Sequence, residues 1–228
     1  MDATNDSSSR AFNWLADNRL AEVLHVGDRE LAYRFSEQGH EVVVLSEESR
    51  RRSDAEVSYV CGTVDHLPFI ASSFDVVVCP SLHLTAIQTA GIARVLRPHG
   101  RVATVSRTYD DTIPWVRRLL TLTNADPAAA DRDETVTSTG LFLDPETKEI
   151  ADWVELDLPS TITFARSLAG ASFGDDALAH VRELFAESAQ QTGTLRLRHR
   201  TQYVRAQVDK SQLPDDDVVT DTTLFDLR

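Results

Sequence analysis

The chain is poor in sulfur, in lysine and in glycine. It holds two cysteines, Cys61 and Cys79, and one methionine among 228 residues. Both cysteines sit beside apolar runs and are expected as buried, reduced thiols of a cytoplasmic protein rather than as a disulfide framework. No cysteine and histidine positions carry metal-ligand spacing, so no metal is expected. No run of about 18 apolar residues occurs, which argues against a membrane span. The opening MDATNDSSSR lacks the basic start and apolar stretch of a secretory signal. Positive charge is scarce: 23 Lys and Arg stand against 36 Asp and Glu, a formal net charge of −13. Such a surface repels phosphate backbones and excludes nucleic acid as an expected partner. Lys148 and Lys210 are the only lysines.

What is present is a regular alternation. Residues 1–10 are expected to be disordered, residues 11–208 to form a single domain, and residues 209–228 to form an acidic tail. Ala11–Arg19 reads as a short helix. AEVLHVG is an apolar strand, LAYRFSEQG an amphipathic helix stopped by Gly39, and HEVVVLS an unbroken apolar strand that suits a sheet covered on both faces. VSYVCG and SFDVVVCPS are further strands, separated by the loop TVDHLPFIAS. TAGIARVLRP is a helix ended by Pro98 and Gly100, and RVATVSR is a fifth strand. This order predicts an α/β fold with a doubly wound, mostly parallel Rossmann-like sheet in three α/β/α layers. Ligands of such sheets bind beyond the carboxyl ends of the strands, here near Gly27, Ser46, Gly62, Pro80 and Ser106.

After Thr108 the pattern changes. IPWVRRLLTL reads as an amphipathic helix, and residues 123–138 as an exposed insertion rich in Asp, Ala and Thr. TGLFLDPETKEIADWVELD reads as a hairpin turning at DPETK. Helices near Thr161–Leu168 and Asp176–Gln190 follow, then a last strand, TLRLRHRTQYVRAQV, which is expected to end the sheet in antiparallel fashion. Arg196, Arg198 and Arg200 alternate with Leu195, Leu197 and His199, so period two sets the three arginines on one face. Cross-strand ion pairs with Glu149, Glu155 and Asp157 explain such a stripe, and an acidic partner is the sharper alternative. Arg50, Arg51 and Arg52 read as a solvated helix face.

The ordered strings VLHVG, GHEVVVLS, VDHLPF, SFDVVV and RVLRPHGRV resemble the small-molecule class I S-adenosylmethionine (SAM)-dependent methyltransferases of the type 11-like group. The most specific part is LPF followed by SFDVVV and RVLRPHG. The strand with Trp153, the helix carrying Ser167 and Ser172 and the final TQYVRA look like that family's substrate-side elements, so the resemblance runs from about Phe12 to Val208.

The resemblance implies a donor site for SAM, and it also shows where the sequence departs from the family. The family's first strand ends in a loop with three glycines, which let backbone amides approach the donor. Here that loop is Gly27-Asp28-Arg29-Glu30, with Gly27 alone retained, and the segment to Gly39 is about two residues shorter than the family's. The acidic position within the first strand is His25, read as a buried histidine. The second strand's terminal acid, which holds the ribose hydroxyls, is replaced by Ser46, with Glu47 next in sequence. The acid after the third strand's glycine is replaced by Thr63, and Asp65 lies two residues on. The carry-over sets SAM against Gly27, Asp28, Ser46, Glu47, Thr63, Val64 and Ser81, with His83 as the residue toward the acceptor and general base. A packed helix-start histidine is the plainer reading of His83. Ser106 and Asp110 end the fifth strand and line the pocket or serve turn chemistry.

Two functions stay open. One is a divergent SAM-dependent methyltransferase acting on an unidentified small molecule, with weak or altered donor binding. The other is a non-catalytic relative that has lost SAM and acts by binding or assembly. A homo-oligomer remains open through the edge of the last strand.

Overall fold

A computed structural model of the chain describes residues 3–27, 29–47, 56–81, 83–125, 139–143, 145–190 and 192–212. Asp28, the Arg50–Arg52 run, most of the insertion 123–138 and the tail beyond residue 212 lie outside the described residues.

Seven strands form one sheet in the order β3-β2-β1-β4-β5-β7-β6. They are β1 (Glu22–Val26), β2 (Glu41–Ser46), β3 (Ser58–Cys61), β4 (Phe74–Val78), β5 (Leu96–Tyr109), β6 (Glu146–Leu156) and β7 (Leu195–Gln207). The pairs β1–β2, β1–β4, β2–β3 and β4–β5 are parallel. β7 runs against β5: the Asp110 N–H donates to the Arg198 carbonyl, and the Val208 N–H to the Gly100 carbonyl. The helices are α1 (Ala3–Leu15), α2 (Arg29–Ser36), α3 (Ala86–Val95), α4 (Pro114–Thr123), α5 (Leu158–Ala169) and α6 (Asp175–Ser188). The expected doubly wound α/β fold with an antiparallel end is therefore the observed one. None of the described helices is long and apolar enough to cross a membrane.

The chain divides into two compact units. Among the described residues, one holds those within 3–106, 139–148 and 203–212, and the other those within 107–125 and 149–202. In the first unit, β1, β2 and β4 bury Leu24, Val43, Leu45 and Val77 in one cluster with Phe69 and Phe74. The two phenylalanine rings meet edge to face at 4.9 Å, a geometry that suits the ring quadrupoles. In the second unit, α4, α5 and α6 bury Trp115, Val116, Leu119, Ala165, Val181 and Leu184.

Local chemistry sets the helix ends. Thr85 and Gln88 close a reciprocal capping box at the start of α3, which satisfies two N–H groups that the helix leaves unpaired. Asp157 accepts from the Ser160 N–H at 2.9 Å and starts α5. Asn124 ends α4 in the left-handed region at φ 52, where Asn is tolerated better than most residues.

Four expectations are corrected. The first helix begins at Ala3, not Ala11, so residues 3–10 are helical; Gln38 Nε2 donates to Ser9 Oγ at 3.3 Å and holds that end. The helix expected to run to Pro98 ends at Val95, and β5 begins at Leu96. His99 takes φ +67 there, opposite a register shift between Phe74 and Val76. A Cβ at Gly100 would lie 2.9 Å from the Arg97 carbonyl and 3.1 Å from the Asp75 carbonyl. Glycine is needed here for close backbone approach, not to stop a helix. The expected hairpin at DPETK does not form: β6 starts at Glu146, while Phe142 bridges Val208 in antiparallel fashion beyond the end of β7. Finally, Cys79 is buried but Cys61 is exposed, because it is the last residue of the edge strand β3.

Candidate functional site

The parallel strands β1 to β4 bring their carboxyl ends to one edge, and of the residues expected at the donor, Gly27, Ser46, Glu47, Thr63, Val64 and Ser81 end or follow these strands in the chain, while Asp28 lies outside the described residues. Gly27 follows β1, is exposed, and takes φ +92. A side chain there would be strained whatever the space. A Cβ at Gly27 would also sit 3.5 Å from Pro80 Cγ beyond β4. The Gly27 N–H donates to the Leu45 carbonyl at 3.3 Å, and the Gly62 N–H to the Ser46 carbonyl at 3.1 Å. These bonds hold the exits of β1, β2 and β3 in step.

Ser46 is the last residue of β2, opposite Cys61 of β3. Glu47 comes next and is exposed, and its carbonyl accepts from Cys61 Sγ at 3.6 Å. Thr63 forms a one-residue antiparallel bridge with His66, whose N–H donates to the Thr63 carbonyl at 3.2 Å. Val64 packs against the core of the first unit. Asp65 does not reach back toward Thr63; its carboxylate accepts from Gln88 Nε2 at 3.0 Å. Because Gln88 also belongs to the capping box, this bond fastens the loop after β3 to the start of α3.

Ser81 Oγ accepts from the His83 N–H at 3.0 Å, and the His83 side chain is exposed. His83 precedes the cap residue Thr85 and therefore stands outside the helix, not packed at its start. His25 is buried at 1% exposure and pairs in register with Val44 on one side and Val78 on the other. It belongs to the sheet interior, as its plainer reading had it. Ser106 is on β5, and its hydroxyl is enclosed without a hydrogen-bond partner in the structure.

Asp110 lies in the second unit. Its Oδ1 accepts from the Thr112 N–H at 3.1 Å and from Thr112 Oγ1 at 2.5 Å, and its Oδ2 accepts from Arg198 at 3.5 Å. The Thr112 hydrogen bonds, with the Arg198 charge, hold the Asp110 carboxyl below its usual range. The arginine stripe is divided among different partners. Arg200 pairs with Glu149 at 3.7 Å, as expected across β6 and β7. Arg196 lies over the exposed Trp153 ring at 4.9 Å, and Asp157 serves as the cap of α5. The sequence signal for Trp153 and Asp110 was present in their positions on neighbouring strands, but no short-range pattern joined them to the stripe. Among the described residues, no group of three or more His, Cys, Asp or Glu side chains is placed to hold a metal ion.

Comparison with known proteins bears on this edge. Residues 14–104 match the family described as methyltransferase domain. An uncharacterized methyltransferase of Mycobacterium tuberculosis is 31% identical over 119 residues, which cover 48% of this chain and 49% of that protein. The chain thus spans about half the length of the curated relatives it matches. A solved structure of a candidate methyltransferase from an antibiotic biosynthesis pathway of Anabaena variabilis superposes with a TM-score of 0.59 at 14% identity, covering 87% of this chain and 96% of that one. A candidate type II methyltransferase of Anaeromyxobacter dehalogenans gives 0.57 at 19% identity, covering 88% and 95%. At such identities the structural likeness speaks for the fold alone. Residues 14–104, from α1 into β5, are thus similar to methyltransferase domains, and the seven-stranded sheet has the fold of the solved methyltransferase structures.

Proposed function

We propose that the chain is a divergent SAM-dependent methyltransferase of a small molecule, with donor binding weakened or altered relative to the family. One observation carries this reading: the paired strands β1 and β2 are followed, at the same sheet edge, by a glycine at φ +92 and by an exposed carboxylate, Glu47. SAM fits these residues in part. Gly27 offers backbone without a side chain, Glu47 offers an acceptor for hydroxyl pairs one residue beyond the family's place, and Thr63 and Val64 flank the adenine position. Asp28 belongs to the same loop by sequence. Bound SAM supplies an activated methyl group on a sulfonium. The chain's own part is to orient an acceptor and to keep water from it. His83, exposed beyond β4 with its backbone N–H tied to Ser81 Oγ, is the group in this reading that takes the acceptor's proton.

A second reading, a non-catalytic relative, draws on a different observation. Only two residues separate the end of β1 at Val26 from the start of α2 at Arg29, so the connection is very short for a donor cradle. Calorimetric titration with SAM and with its demethylated product separates the two. Micromolar binding of either ligand, weakened in Glu47→Gln, supports the enzyme. Absence of binding at millimolar ligand would falsify it and leave the non-catalytic reading.

A further inference from the structure

Residues 108–112, at the end of β5, and residues 198–200 of β7 line a cleft of about 380 Å³ within the second unit. That volume lies in the range of small-molecule sites. The cleft sits at the carboxyl end of β5, the side on which open α/β sheets take ligands.

Its arginines are loosely held. Arg198 reaches Asp110 at 3.5 Å and Arg200 reaches Glu149 at 3.7 Å. Arg97, Arg101 and Arg118 close more tightly, on Asp75 at 2.8 Å, Asp17 at 2.8 Å and Glu187 at 2.7 Å, whereas Arg19 and Arg34 make contacts as long as those in the cleft, at 3.6 Å and 3.7 Å. A guanidinium carries several N–H donors in a planar fork. One long contact leaves most of them to solvent or to a ligand. Asp110 is held in place by Thr112, which occupies its other oxygen twice. The Arg198 guanidinium carbon also lies 5.9 Å from the Trp153 centroid, within the outer range of a cation–π contact. Half-buried His199 completes the wall. Burial and the Arg107 charge lower its pKa, with Asp152 opposing them, so the ring is uncharged at neutral pH and leaves the cationic role to the arginines.

We propose that this cleft binds the anionic group, a carboxylate or a phosphate, of a small molecule, with Arg198 and Arg200 as its ligands. Only the naming of that molecule as the methyl acceptor rests on the methyltransferase reading; the binding stands without it. The fork of each arginine meets two oxygens of the anion, and the Thr108 hydroxyl on the facing segment adds a neutral donor, while that of Thr112 is spent on Asp110.

The test uses the full chain without SAM. Amide NMR follows titration with benzoate, and in a separate arm with inorganic phosphate, while benzamide serves as the uncharged control. The expected result is a saturable, millimolar shift at residues 108–112 and 198–200 with one or both anions and none with benzamide. The stronger arm tells carboxylate from phosphate. Arg198→Gln and Arg200→Gln are each expected to weaken binding about tenfold, with Arg200→Lys recovering part of the loss. Arg118→Gln, between α4 and α6, is expected to change nothing. Thermal melting confirms that each variant is folded. No saturable shift with either anion, equal shifts with benzamide, or unchanged affinity in both Gln variants would overturn the proposal. SAM titration is read separately: loss of the donor reading leaves this site standing, and loss of this site leaves the donor reading standing.

Discussion

The Arg205 guanidinium lies 4.1 Å from the centroid of the Trp14 ring and donates to the Trp14 carbonyl, which ties the end of β7 to the end of α1. The same cation pairs with Asp17 at 2.9 Å and Glu146 at 3.0 Å, and its side chain is 8% exposed. Lys148 sits 4.5 Å from the same ring. Asp17 and Glu146 are partly exposed and also pair with Arg101, at 2.8 Å and 3.4 Å, so removal of Arg205 leaves each with a cation. Arg205→Met is therefore expected to cost about 1 kcal/mol in urea unfolding, through the lost hydrogen bonds and the lost contact with Trp14. Arg205→Lys is expected to cost less, since it keeps the charge and loses the fork. An Arg205→Met variant as stable as the parent would contradict this account.

His40 sets an acid limit. It is 4% exposed, and its ring lies 5.8 Å from that of Phe35. Burial lowers its pKa below the ordinary 6.5. The unfolded chain takes up the proton at the ordinary value and the folded chain only at a lower pH. The stability contribution is thus whole above pH 6.5, falls as pH drops toward the folded value, and flattens below it. The slope within that window is at most ~1.4 kcal/mol per pH unit for one proton. His199 is shifted in the same direction, by burial first and then by Arg107. Urea unfolding at stepped pH should show the decline, and His40→Gln should shallow it.

Thr104 is 1% exposed, and its hydroxyl has no hydrogen-bond partner in the structure. An enclosed, unsatisfied hydroxyl costs free energy that a methyl group does not. Thr104→Val is expected to be neutral or to stabilise by up to about 1 kcal/mol. Clear destabilisation in thermal melting would show that the hydroxyl has a partner.

Gly62 has no room for a side chain. A Cβ there would lie 2.9 Å from Leu45 Cδ1 and 3.2 Å from two carbons of Pro68. Leu45 is 1% exposed and cannot swing into solvent without leaving the core. Gly62→Ala is expected to cost about 1–3 kcal/mol through overpacking. The loss should come with a changed backbone at Thr63, visible as shifted amide resonances from residue 61 to residue 66.

Much of the fold was legible because parallel strands buried on both faces read as apolar runs. EVVVLS and FDVVV are of this kind, and each is followed by its expected partner. The beginning of β5 was not legible, because Pro98-His99-Gly100 carries the marks of a helix stop. The opposing carbonyls of Arg97 and Asp75, which explain Gly100, are visible only in three dimensions. The hairpin at DPETK failed for a related reason: Phe142 is claimed by Val208, a partner remote in sequence. At the candidate site, strand ends gave the positions of Gly27, Ser46 and Thr63. The approach of Pro80 to Gly27 and the bond between Asp65 and Gln88 depend on loops whose course no periodicity encodes. The arginine stripe showed the same split. Period two gave its common face, whereas Trp153 and Asp110 were chosen as partners by packing.

If the chain binds SAM as proposed, the two-residue passage from β1 to α2 bears on what kind of change would strengthen that binding. Side-chain exchange at Asp28 or Glu30 leaves the helix start where it is, since α2 already opens at Arg29. A glycine-rich cradle needs extra backbone between Val26 and the first helical turn. On the proposed reading, a tighter SAM site would call for an insertion of about two residues rather than point substitutions, and surface loops tolerate such lengthening at small entropic cost.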